Sequence, residues 1–156
     1  MGIVTGPIIE FSMAFISDIW DEARKLMDAH HAEVGILTSK EFNPDRHVYE
    51  TMERAGATRT FTLRLDAKLI GYATFLVQTH PDYPATTWAY ERAMYVVPRH
   101  RGMRAIEFQM AQDDVLKGEG LIVVRYSTEK NDRSKTLTRM EYKPLERSYT
   151  RDYRKE

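Results

Sequence analysis

The sequence predicts an α+β fold: an antiparallel strand meander continued by one parallel crossover, with helices flanking the mixed sheet. Three observations carry that expectation. Residues 60–97 hold three successive β-type segments, residues 102–117 carry helical spacing, and the apolar run Leu121-Ile-Val-Val124 follows the helix directly. Strand, helix and strand in this order form a crossover, which sets the last strand parallel to the one before the helix.

The elements follow in order. Residues 3–12 read as a short strand. Ser17-Asp18 caps a helix whose apolar positions Ile19, Ala23, Leu26 and Met27 keep helical spacing. Asn43-Pro44 opens a second helix, with asparagine as cap and proline at the first helical position. On it Val48, Met52 and Ala55 share a face, and Gly56 supplies a left-handed stop. Phe61, Leu63 and Leu65 then alternate with Thr60, Thr62 and Arg64, the pattern of a half-buried strand. Asp66-Ala67-Lys68 turns the chain, and residues 69–77 return as an antiparallel partner rich in β-formers.

A long loop is expected at His80–Pro84, and Thr87 to Val97 forms the third strand, ended by Pro98. Ala105, Phe108, Gln112 and Val115 define the buried face of the next helix, bracketed at its end by Gly118 and Gly120. A short helix over 132–140 and an extended segment over 142–153 complete the chain, read as one domain over residues 1–156.

Composition narrows the function classes. With 42% hydrophobic and 29% charged residues, 156 residues suffice for one packed core. The absence of cysteine removes disulfides, thiolate nucleophiles and thiolate ligands, and fits a reducing, cytoplasmic setting. The expectation is a protein without a leader peptide or a membrane span, since no stretch reaches the apolar length a span needs. Net charge is zero, yet residues 1–65 carry 7 basic and 10 acidic side chains and residues 66–156 carry 16 and 13. A polyanion would meet the second half, although that excess is small for a nucleic-acid binder.

His30 and His31 diverge by about 100° on a helix and cannot chelate one ion together, so no metal is expected. No nucleophile elbow, Walker loop or dinucleotide fingerprint occurs. The run Arg147–Lys155 interleaves arginine and tyrosine, open to two readings: stacking on bases, or a solvated final strand.

The informative motif is the turn between the third strand and the crossover helix. A helix that starts straight after a strand presents unpaired N–H groups and the positive end of its dipole. Here Arg99, Arg101 and Arg104, with His100 as a fourth charge if protonated, surround Gly102, a composition suited to phosphate groups.

Met94-Tyr-Val-Val-Pro98 followed by Arg99-His-Arg-Gly-Met-Arg-Ala105 resembles the signature of the GNAT superfamily of acyl-CoA N-acyltransferases, and the order of elements does so over residues 3–153. Arg104 stands where the family has a small residue, and Ala105 comes one step later. The spacing Arg-Gly-Met-x-small-Ile also resembles a variant found in bacteriophage-encoded members. The resemblance implies an N-acetyltransferase that uses acetyl-CoA, with the turn Arg99, His100, Arg101, Gly102, Met103, Arg104 and Ala105 on the pyrophosphate. It implies that the main chain of Tyr95 and Val96 pairs with the pantetheine arm and that Asn131 lies near the cofactor. Helix capping is an equal reading for Asn131.

Glu91 takes the place of a carboxylate base, against the alternative of a surface or ion-paired glutamate. The family's acid tyrosine falls on Leu137, leaving Tyr142, Tyr149 or Ser134 to substitute, and Glu141 replaces the glycine before the closing aromatic Tyr142. Three functional readings stand at this point: transfer to an amine of a small molecule or protein, modification of a nucleic-acid-bound amine, and a non-catalytic binding or inhibitor module. An exposed strand over 142–153 would also favour a homodimer.

Overall fold

The protein is described by a computed structural model covering residues 6–35, 37–38 and 40–155. It divides into two compact units, Met1–Arg125 and Tyr126–Glu156. The first contains a five-stranded sheet in the order β1-β2-β3-β4-β5. Its strands are β1 (Ile9–Met13), β2 (Thr58–Leu65), β3 (Lys68–His80), β4 (Tyr83–Val96) and β5 (Ile122–Val124), with helices α1 (Trp20–Val34), α2 (Arg46–Arg54) and α3 (Met103–Gly118). β1 to β4 pair antiparallel in sequence order. β5 joins β4 in parallel, as the crossover requires. This is the expected α+β architecture.

Alternation along the strands builds two cores. Phe61, Leu63, Ala73, Phe75 and Ala89 meet Phe108 and Leu116 of α3. On the opposite face Leu69, Tyr72 and Tyr95 meet Ile16 and the α1 residues Ala23 and Met27. Thr60 and Thr62 are also buried, at 3% and 1% exposure, so β2 is covered on both sides rather than half-buried. The hydroxyls of Thr60 and Thr74, which sit opposite each other, find no hydrogen-bond partner among the described residues.

Several boundaries differ from expectation for identifiable reasons. β1 begins at Ile9, and residues 3–5 of the predicted strand lie outside the described residues. α2 is capped by Asp45, whose carboxylate accepts from the N–H groups of His47 and Val48, so the helix starts two residues after the predicted proline position. Its buried residue is Glu53, held by the Ser17 N–H and hydroxyl, while Val48 is half exposed. Gly56 does end the helix at φ +68°, with the paired bonds Gly56 N to Glu53 O and Ala57 N to Met52 O.

The loop expected at residues 80–84 is a tight turn, because β3 runs to His80 and β4 starts at Tyr83. α3 buries Leu116 in place of Val115, a rotation of one position. In the second unit the short helix is α4 (Ser134–Arg139). Residues 143–150 are exposed and carry no strand, and Tyr153–Lys155 form a single 3₁₀ turn. The sheet-edge argument for a homodimer therefore loses its strand.

Candidate functional site

β4 and β5 part company after a short ladder. They pair only as Trp88↔Ile122, Ala89↔Val123 and Tyr90↔Val124. Beyond Tyr90, among the described residues, β4 has no strand beside it on that side. A bulge falls at the same place: Thr74 faces Ala93 and Phe75 faces Glu91, leaving Arg92 as the extra residue. The two strands thus form a fork whose vertex lies at Tyr90 and Val124.

Glu91 sits at that vertex and is buried at 2% exposure. Its Oε2 accepts from Arg125 Nη1 at 2.6 Å, a pair whose side chains are 3% and 0% exposed. Arg125 also donates to Gln112 Oε1 at 3.0 Å, to Gln109 O at 3.3 Å and to Asp113 Oδ1 at 2.9 Å, and its guanidinium lies 5.2 Å from the Phe75 ring centre. Of the alternatives open for Glu91, the geometry displays the ion-paired one. Where the backbone ladder stops, this side-chain clasp joins β4, the end of β5 and α3. Sequence reading missed Arg125, because nothing local marks a residue just after a three-residue strand as the partner of one 34 positions earlier.

At the open end of the fork, β4 runs into the 3₁₀ turn Pro98–His100 and then α3. Gly102 is the N-cap at φ +95°, a conformation that excludes a β-carbon on backbone grounds although space is open around it. It offers no capping side chain, and among the described residues the N–H groups of Gly102, Met103 and Arg104 find no acceptor. Three donors therefore point outward from a helix N-terminus.

The cations around them are not equivalent. Arg101 donates Nε to the Val96 carbonyl at 2.7 Å, grips both oxygens of Glu33 on α1 at 2.9 and 3.0 Å, and lies 5.3 Å from the centre of the Tyr95 ring. It ties the turn to α1 and already engages one of the main-chain acceptors expected to meet an extended ligand. Arg99 Nε lies 3.3 Å from His100 Nε2, and Arg104 Nη1 lies 3.2 Å from His100 Nδ1. A neutral imidazole accepts at one nitrogen only, so one of these two arginines is always released. Desolvation, then the charges of Arg99, Arg104 and Lys68, hold the His100 pKa below its ordinary value, so histidine does not supply the fourth charge at neutral pH in this state. Arg104 leans back toward His100. Ala105 begins the inward face of α3, and Met103 is exposed.

On the α1 side of the fork, Tyr95 and Tyr72 stand near His30, whose Nδ1 is 3.3 Å from the Tyr72 hydroxyl. Burial raises the pKa of both tyrosines, so they remain protonated through neutral pH.

In the second unit, Asn131 closes a small loop through main-chain bonds with Thr128, and it is Asp132 that accepts from the Ser134 N–H before α4. Glu141 lies at φ +67° and Tyr142 N donates to Leu137 O, so the chain keeps the left-handed exit despite the missing glycine. Tyr142 is partly buried and Leu137 buried. Among the described residues no group of three potential ligands could hold a metal, and no helix is long and apolar enough to cross a membrane.

The mixed sheet thus opens into a fork that leaves a strand edge unpaired beside the three outward N–H groups of an uncapped, glycine-led helix. The sequence profile of the acetyltransferase (GNAT) family matches residues 18–107, more than half of the chain, and the protein belongs to that family. Solved structures agree on the fold. A ribosomal-protein-alanine N-acetyltransferase from Brucella melitensis biovar Abortus 2308 has a TM-score of 0.73 at 17% identity, covering 94% of this chain and 98% of that one. An aminoglycoside N-acetyltransferase solved with CoA has a TM-score of 0.71 at 14% identity, covering 97% and 99%. A predicted acetyltransferase from Clostridium acetobutylicum, solved with acetyl-CoA, gives 0.66 at 14% identity, covering 96% and 99%. A comparison with curated protein sequences returns no match.

Proposed function

We propose that residues 1–156 act as one N-acetyltransferase domain that moves an acetyl group from acetyl-CoA to an amine of a small molecule or protein. The observation that carries this reading is the fork beside the three outward N–H groups of Gly102, Met103 and Arg104. The residues fit the cofactor. The N–H groups and the released arginine suit a pyrophosphate, and the unpaired edge of β4 suits the amides of a pantetheine arm, with Tyr95 and Val96 contributing main chain. Family membership and the CoA-bound neighbours support the same assignment. The bacteriophage resemblance gains no support from these comparisons.

When bound, acetyl-CoA supplies the activated acyl group. The amine nitrogen attacks the thioester carbonyl, a C–N bond forms, the C–S bond breaks, and the proton lost by the amine is balanced by one gained by the thiolate. Tyr142 is assigned to the returning proton by its place in the family pattern, and Asn131 to the cofactor side on the same ground. Glu91, held by Arg125, is assigned to keeping the vertex closed rather than to proton removal, so the acceptor is expected to react as its neutral amine.

The test is calorimetry with acetyl-CoA. Binding is expected for the wild type, with affinity falling about tenfold or more in Arg104→Ala through loss of a charge-assisted hydrogen bond. Absence of binding heat at several temperatures, or indifference to Arg104→Ala, would remove the assignment. A second reading, a GNAT-fold module that binds without turnover, is favoured by Leu137 in place of the acid tyrosine and by the engaged Glu91. Acetylation of any member of an amine panel overturns it.

A further inference from the structure

The side of β4 that faces away from α3 carries a feature with no role so far. Ala89 and Glu91 point toward the α3 side, so alternation sends Trp88 and Tyr90 to the other. There the rings of Tyr83, Trp88 and Tyr90 form a row. Tyr83 and Trp88 have centroids 6.4 Å apart at 23°, and Trp88 and Tyr90 5.9 Å apart at 15°. Ile122, across from Trp88 on β5, is 40% exposed, so this part of the face is not closed over.

The row runs up to the vertex, where the bulge presents Arg92. Arg92 is exposed and makes no hydrogen bond, ion pair or ring contact among the described residues, unlike Arg59, Arg64, Arg101 and Arg125. Alternation from Glu91, which faces α3, sends Arg92 to the α1 and α2 side, and its charge acts there on the Tyr49 hydroxyl. Two other charged groups on that side are already engaged by neighbours. Glu53 accepts from Ser17, and Arg46 is held by Ser17 O and Glu50. Among the described residues Arg92 is a cation without a partner, at the point where an acyl group would be delivered.

We infer that this face is the acceptor subsite, and that it takes an amine bearing a carboxylate beside the nitrogen and a ring: the carboxylate pairs with Arg92, and the ring extends the row at Tyr90. An aromatic α-amino acid has that shape. The inference rests on the acetyltransferase reading for its chemistry, but its binding geometry can be tested separately. A guanidinium recognises a carboxylate through two parallel hydrogen bonds, which an amine without the carboxylate cannot accept.

The experiment titrates the full chain with L-phenylalanine, phenethylamine and L-alanine, reading the indole N–H resonance of Trp88. L-phenylalanine is expected to bind roughly ten- to hundredfold more tightly than phenethylamine, which lacks the carboxylate, and more tightly than L-alanine, which lacks the ring. In Arg92→Gln the advantage over phenethylamine disappears. Equal binding of L-phenylalanine and phenethylamine, an unchanged preference in Arg92→Gln, or no binding of L-phenylalanine each overturns the inference. Acetyl-CoA is titrated on the same samples. Loss of acetyl-CoA binding with L-phenylalanine binding intact rejects the transferase reading alone, and the reverse pattern rejects this subsite alone.

Discussion

Replacing Glu91 by alanine leaves Arg125, whose side chain is 0% exposed, with a buried charge that loses its buried carboxylate and keeps the 29% exposed carboxylate of Asp113. Breaking one member of a buried pair costs about 3–5 kcal/mol, a large share of the roughly 5–15 kcal/mol that holds a typical domain together. At about 2–4 °C per kcal/mol for a chain of this size, the melting temperature is expected to fall by roughly 6–20 °C. Glu91→Gln keeps an acceptor of the same shape and loses only the charge, so its cost is nearer to about 1.5–3 kcal/mol. The double change Glu91→Leu with Arg125→Met removes both charges and recovers most of the loss, since Asp113 is 29% exposed and water can solvate it. Urea unfolding gives the free energies, and acetyl transfer against pH is followed on the folded variants. If Glu91→Gln proves as stable as the wild type while losing turnover and the acid limb of the pH profile, Glu91 is a base and the clasp argument is wrong.

Other outcomes follow from single residues. Glu141→Gly relieves a left-handed backbone and is expected to add about 1 kcal/mol of stability, seen as a higher melting temperature; no change would mean the bonds around α4 do not require φ +67°. Thr74→Val removes a buried hydroxyl with no partner among the described residues and is expected to stabilise by about 1 kcal/mol in urea unfolding, whereas a loss would reveal a bound water at that hydroxyl. Because the folded pKa of His100 is lowered, the unfolded chain binds more protons just below pH 6.5, so stability falls as pH drops through that window. His100→Asn flattens that part of the curve. In calorimetry across buffers of different ionisation heat, acetyl-CoA binding is expected to draw a proton onto His100 in the wild type and not in the variant.

The meander, the crossover and the turn at Gly102 were legible because each rests on local chemistry: alternation, helical spacing, and a glycine flanked by arginines. The failures have local causes too. Pro81 and Pro84 mimic a loop, yet Pro81-Asp82 makes a two-residue connection and Pro84 lies within β4, in the irregular stretch between the pairs His80↔Tyr83 and Thr79↔Thr87. Asn43-Pro44 presents a plausible helix start, but Asp45 has the better-placed carboxylate. Arginine and tyrosine take every second position from Arg147 to Tyr153, as in a strand, and alternation says nothing about whether a neighbouring edge is there to pair with. The clasp and the bulge lay beyond any local pattern. Glu91 was singled out by analogy with a chemical role, and its partner emerges only when the crossover brings Arg125 beside it. Arg92 carried no signal at all, since a bulge is a mismatch in register between two strands.

The three-pair ladder of β5 also sets an order of events. The meander closes through contacts between neighbours in sequence, whereas β5 reaches β4 only after the whole crossover helix has been laid down. The fork, held by three pairs, therefore assembles after the β2-β3-β4 meander and loosens before it, with amide exchange slow in β2 and β3 and fast in β5. A molecule lying in the fork would hold that late-forming edge in place, so the cofactor would serve in the ripening of the fold as well as in its chemistry.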